Sequence, residues 1–551
     1  MTMTETIKTK PWYRRRRFVY PALLLVLAYF CLVPSRLKIS PETTLITEPF
    51  TPDGRPDYFR VYEKTWASKL SPPEDNGLRM MIAAVGPRML EMYALANDVK
   101  WEDIPKHEQG GKQWFEDRWI PLCEHMYIDP YAKPKFYDSL GFHAFMQKIE
   151  ESWPKDENPE NFNMAKKRHE KLVAEPWKAE EYPEVAEWLK EREPILDLYG
   201  IAVRKPNYVC WRPRPEGGCF MILLPDVQSN RDYGLDLQVR VTERLGRGDV
   251  DGAWYDVMSM YHLSRRHYCN DSIYVTKLVG AAVERMACQS AAVILKHGSP
   301  SREQLDRFAG DLASLPSAFN IDTSFEEMMQ LDILHSSTQE SYLIFCDTWG
   351  SETLRFLSML PTDKNIAGKR LNRFFAEAKQ GKSHEILGGN PIQWQRTLKS
   401  LDKIGEERKR KLENPYSQWI RIPLIRTRSE LVADLIATQF AYGAVGDAMC
   451  QTMARFDLLR IAVALERYEK AENDYPDDLE RLVPKYLDEI PLDPFTGRKT
   501  ITYKRNPEEG SPYLVYSYGR NGEDDGGREA IKNPDASTMH LWEKHDIVFK
   551  R

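Results

Sequence analysis

Apolar residues recur at helical spacing through most of this chain. In SPPEDNGLRMMIAAVGPRMLEMYALAND, residues 71–98, they predict a helix that begins around Pro73, Glu74 and Asp75. Between 100 and 200 the pattern predicts short helices broken by prolines, as in AEEYPEVAEWLKEREPILDLYG. NRDYGLDLQVRVTERLGRGDVDGAWYDVMSMYHLSRRH reads as two helices joined at GRGDVDG, an αα-hairpin. Further helical patterns span about 272–297, 301–314, 319–346 and 364–380. A long one runs over about 429–472, with Leu458, Ile461, Leu465 and Tyr468 on one face and with Gly443 and Gly446 placed to bend or split it. The strand pattern is scarcer. NYVCWRPRPEGGCFMILL predicts a β-hairpin over 206–224 around a Pro/Gly turn. After residue 473 the texture changes to a short helix, turns and the strands ITYKRN and SPYLVYSYG, an α+β unit. The expected fold is mainly α: a large domain of helical hairpins with one β-hairpin, and a small C-terminal α+β unit.

The N-terminus adds a membrane. Arg14, Arg15, Arg16 and Arg17 precede an apolar run from Phe18 to Val33, about 24 Å as a helix. Flanking Trp12, Tyr13 and the arginines suit the headgroup region. A cleaved signal peptide competes with an uncleaved anchor, but YFCLVPSR has no small residues placed for cleavage. The anchor reading puts residues 1–17 in the cytoplasm, a transmembrane helix at 18–35, a Pro- and Thr-rich linker at 36–57, the helical domain at 58–425 and the long helix with the α+β tail at 426–551, all beyond the anchor extracytoplasmic (periplasmic). A net charge of −5 argues against a nucleic-acid partner. The membrane and a protein or envelope partner remain.

Candidate chemistry is sparse. Seven cysteines beyond Cys31 are scattered and contain no C-x-x-C, which leaves no zinc-finger or thioredoxin pattern. Cys210 and Cys219 flank the expected hairpin turn, where a disulfide would fit, with two half-buried thiols as the alternative. There is no G-x-S-x-G; AKQGKS carries Ala376 where a P-loop has glycine; RHEKLVAE has His169 and Glu170 but Val173 in place of a second zinc histidine. His262 and His267 lie five apart, and Asp322, Glu326, Glu327 and Asp332 fall within about three helical turns; both sets read first as ordinary helix faces. The segment YSYGRNGEDDGG, residues 516–527, can offer Ser517, Asn521, Asp524 and Asp525 to a cation, with Asp546 returning to complete the shell. It lacks the EF-hand pattern, and Asn-Gly and Asp-Gly serve equally well as turn dipeptides.

Residues 455–527 resemble the periplasmic part of the major pseudopilins of type II secretion. The matching residues are Leu465 and Tyr468, then Tyr475, Pro476, Leu479, Leu482, Tyr486 and Leu487, the turn Asp493, Pro494, Phe495 and Gly497, and finally Tyr516, Ser517, Gly519, Gly522, Asp524 and Asp525. Phe495 replaces the usual tryptophan, and the N-terminal anchor lacks a prepilin cleavage site. The resemblance implies calcium in the acidic loop. FTPDGRPDYFRVYE, PPEDNGLRMMIAAVGPR and PLDPFTGRKTITY are similar to segments of membrane-anchored planctomycete proteins, which implies an extracytoplasmic helical domain with a pilin-like tail and no particular activity. Together these features read as a non-enzymatic envelope protein. The alternatives are an envelope or polymer hydrolase without a local motif, and a secretion-system accessory docking through the tail.

Overall fold

The computed structural model describes residues 45–90, 101, 111–151, 168–316 and 442–550, apart from 53, 138, 169, 216–218, 220–221, 223, 225, 271–272, 509–510 and 529–545, together with 325, 328–329 and 331–332. The expected anchor at 18–35, the linker up to residue 44 and the helices placed at 364–380 and 429–441 lie outside the described residues. The described chain is mainly helical, with a small three-stranded antiparallel sheet.

Helix α1 spans Tyr58–Ala67 and α2 Gly77–Val85. A 3-10 turn at Pro73–Asp75 comes first, and the Asn76 side chain then caps α2 by accepting from Leu78 N. Helix α3 is built of Gly111–Trp114, a π turn Phe115–Trp119 and Ile120–His125. Helices α4 (Phe142–Glu151) and α5 (Pro183–Ala202) follow. Helix α5 runs through Pro194 where a break was expected. Buried Val185, Trp188 and Leu189 hold the turns before the proline, and Ile195, Leu196 and Tyr199 those after it, so packing outweighs the lost hydrogen bond.

The expected αα-hairpin is present as α6 (Val227–Gly246) and α7 (Val250–Asn270). Helix α8 (Tyr274–His297) packs on both, and α9 (Arg302–Ser314) starts with a capping box between Ser301 and Gln304. Helix α8 is long and apolar enough to cross a membrane by composition alone. Its Val283, Ala287, Ala291 and Ile294 are fully buried against its neighbours, which makes it a core helix.

Charged pairs lie inside this body. Arg240 of α6 grips Asp256 of α7 with two bonds of 2.9 and 2.6 Å and reaches Asp197 of α5 at 2.7 Å, while Arg244 adds a third contact to Asp256 at 3.0 Å. Arg192 of α5 meets Asp236 of α6 at 2.8 Å, and Asp236 also accepts from Phe142 N, which ties in α4. Arg265 of α7 pairs with Glu284 of α8 at 2.8 Å. Buried ions are tolerated only when partnered. These pairs fix which helix faces meet.

The expected β-hairpin over 206–224 does not form in its described residues. Residues 208–215 are irregular, and Asn207 makes an isolated parallel bridge with Asn76. Asn76 explains the difference: its Nδ2 donates to Val209 O at 2.9 Å and its Oδ1 accepts from Val209 N, while Asn207 O accepts from Gly77 N. The backbone of this segment is satisfied by the start of α2 and needs no partner strand.

Helix α10 (Tyr442–Glu472) carries the tail. It is continuous through Gly446 with no split. Leu458, Ile461 and Leu465 are buried as expected, but so are Leu459, Ala462, Val463 and Ala464. The helix is covered from both sides, by α8 and α9 and by the sheet β1 (Thr502–Glu508), β2 (Ser511–Ser517) and β3 (Ile547–Lys550). The strand order is β1-β2-β3, all antiparallel, with Tyr503 opposite Val515 and Val515 opposite Phe549. Tyr261 of α7 meets Phe456 edge-on at 5.6 Å, and Arg467 bonds Asp306 of α9 at 2.7 Å. The tail and the helical body share one continuous core.

Candidate functional site

Strand alternation decides what each side of the sheet does. Tyr513 and Val515 face α10, where the buried Glu466 Oε1 accepts from the hydroxyls of Tyr513 at 3.0 Å and Tyr475 at 3.1 Å. Leu514 and Tyr516 face the other way, and the acidic loop covers them. A side chain on Gly527 would put its Cβ 2.5 Å from Leu514 Cδ2 and 3.2 Å from Tyr516 Cδ1, and its φ is +80°. Gly527 is thus required by close approach as well as by turning, and Gly526, φ +78°, by turning alone.

Asp493 joins the Asp-Pro-Phe-Thr-Gly turn to the loop. Its Oδ1 accepts from Phe495 N at 3.0 Å and Thr496 N at 2.9 Å, and its Oδ2 from Tyr518 N at 3.0 Å. Arg520 fastens the loop to α10 through Asp447 at 2.9 Å.

Each of the five residues predicted to hold a cation has one side-chain oxygen that accepts a hydrogen bond within the tail. Asp524 Oδ1 accepts from the Tyr516 hydroxyl and from Gly526 N, both at 2.9 Å. Asp525 Oδ2 accepts from Asn521 Nδ2 at 2.8 Å, and Asn521 Oδ1 accepts from Glu523 N. Ser517 Oγ accepts from Gly519 N at 3.5 Å, and Asp546 Oδ2 from Gly527 N at 2.7 Å. The bond from Gly526 N, together with the Tyr516 hydroxyl and the nearby Lys504 and Lys499, holds Asp524 below the usual carboxylate range. Asp546 is shifted the other way by burial, with Asp525 and Asp524 adding to the rise. Its Oδ1 is buried with no donor. A calcium shell needs six to eight oxygens. Among the described residues no set of three or more His, Cys, Asp or Glu side chains is placed to hold a metal.

The other predicted positions are separated. Cys210 and Cys219 are both buried free thiols, and the described residues around them form no hairpin that would set them opposite each other. Burial pushes both thiols well above their ordinary range. His262 is half-buried; burial, then Arg204 and Arg266, lowers it to about 4, so it is neutral at pH 7. His267 is buried on the same helix. Glu170 is exposed, and His169, Asp322, Glu326 and Glu327 lie outside the described residues. Asp332 is buried and accepts from Cys219 N at 2.5 Å. Burial raises it to about 6, opposed by that N–H and by Arg55. Nearby, Arg214 grips Asp57 at 3.0 and 2.8 Å, and Arg212 donates to the Tyr62 hydroxyl. The segment 206–214 is thereby clamped onto α1.

Two contributors to the loop escaped the sequence pattern, Lys504 and the β3 strand. The register supplies the missing signal: Lys504 stands opposite Leu514, hence on the loop side of the sheet.

These features define a helical protein whose C-terminal α+β unit carries an acidic loop folded flat on its sheet. Compared with known proteins, the chain matches no family model, no curated protein and no solved structure.

Proposed function

We propose that this chain is a membrane-anchored extracytoplasmic protein with a structural or protein-interaction role in the cell envelope, and that its pseudopilin-like tail is a docking module. The observation that carries this reading is the run of four arginines directly before the apolar segment Phe18–Val33. The shared core of tail and body supports the second half. Helix α10, packed between α8 and α9 on one side and the sheet on the other, holds the tail and its loop in a fixed position, and helical arrays leave broad faces for partners. Full-length protein tagged at both ends, expressed in a Gram-negative host and treated with protease from the periplasmic side, tests the topology. The expected result is a membrane-bound chain whose C-terminal tag is digested while the N-terminal tag is protected. Release of the chain by alkaline carbonate, or both tags on one side, would overturn it.

A further inference from the structure

We propose that the Lys504 ammonium, and not a metal ion, is the cation that holds the acidic loop on the sheet. The register of β1 on β2 puts Lys504 opposite Leu514, so its side chain rises on the face that the loop covers. There Lys504 Nζ donates to Gly526 O at 3.0 Å and lies 5.2 Å from the centre of the Tyr516 ring. The same tyrosine donates its hydroxyl to Asp524 Oδ1, and Gly526 returns its N–H to that oxygen. The ammonium, the phenol and one backbone amide therefore converge on the turn Asp524–Gly526. Glycines at 526 and 527, both with φ near +80°, make the turn, and Gly527, with no Cβ, lets the chain lie against Leu514 and Tyr516 within the lysine's reach. A second ammonium, Lys499 Nζ, lies 4.2 Å from the Tyr518 ring at the start of the loop.

An ammonium suits these groups better than calcium does. It needs three acceptors, and a carbonyl and a ring face already supply two. Calcium would compete with the donors that Asp524 Oδ1, Asp525 Oδ2 and Asn521 Oδ1 now accept from.

The test uses the purified full-length protein, in excess calcium chloride and in chelator, with Lys504→Met and Lys504→Arg. Thermal melts of the wild type should coincide in the two buffers. In Lys504→Met, amide hydrogen exchange at Gly526 and Gly527 should rise by about five- to tenfold while amides of α7 stay unchanged. Lys504→Arg, which keeps the charge, should restore most of the protection. A calcium-dependent rise in the wild-type melting temperature overturns the proposal. So does wild-type exchange in Lys504→Met, or a Lys504→Arg variant as unprotected as Lys504→Met. If Lys504→Met fails to fold, the wild-type melts and the arginine variant still decide.

Discussion

Replacing Asp493 with alanine should detach the acidic loop from its turn while leaving the helical body intact. The Asp493 side chain is fully buried and accepts three backbone N–H bonds, from Phe495, Thr496 and Tyr518. The Phe495 bond is buried and the other two are partly accessible. A buried donor left without an acceptor costs about 1–3 kcal/mol, and a partly solvated bond about 0.5–1.5 kcal/mol. One of the first and two of the second give about 2–6 kcal/mol, centred on about 4 kcal/mol. At about 1.4 kcal/mol per factor of ten, amide exchange at Phe495 and Tyr518 should speed up by roughly several hundredfold, and by at least about twentyfold at the low end. The backbone bonds Asp493 N to Lys499 O and Gly497 N to Asp493 O are retained in the variant, so the turn itself persists. Asp493→Asn can keep the two bonds at Oδ1 but turns an NH₂ toward Tyr518 N, and should raise exchange about tenfold at Tyr518 alone. Peptide-resolved hydrogen exchange on the full-length protein reads both variants. An effect below tenfold in Asp493→Ala, or one spread equally over α6 and α7, would refute the assignment of this side chain as the tie between turn and loop.

Two further outcomes follow from the buried ionic groups. Asp256→Ala leaves Arg240 and Arg244 buried without their shared acceptor and should destabilise the helical body by about 3–5 kcal/mol, read by urea denaturation followed through the tryptophans. Asp332 has a folded-state value near 6 against 3.8 in the unfolded chain, so the stability it contributes is complete below pH 3.8 and is lost as pH rises through about 6. The shift corresponds to roughly 3 kcal/mol. Asp332→Asn should remove that slope, and equal pH profiles for variant and wild type between pH 4 and 7 would refute it.

The helices were legible in the sequence because their causes are local. The αα-hairpin of α6 and α7, the helix expected at about 301–314 and the buried Leu458, Ile461 and Leu465 all follow from spacings of three and four residues. So does the small sheet at β1 and β2, where alternation and the intervening turn lie within twenty residues. Tertiary contacts decided the rest. Whether residues 207–209 pair as a hairpin strand depended on Asn76, more than 130 residues earlier, which satisfies the backbone of Val209 and removes the need for a partner. Pro194 stays inside α5 because buried neighbours hold both flanking turns. Charged Asp236, Arg240 and Asp256 look like solvated helix faces in isolation and become interior only when three helices meet. In the loop, the sequence by itself supplied the acidic residues and the glycines. Which cation faces them was set by the pairing of β1 with β2, because a side chain's partner across a sheet is fixed by register and not by composition.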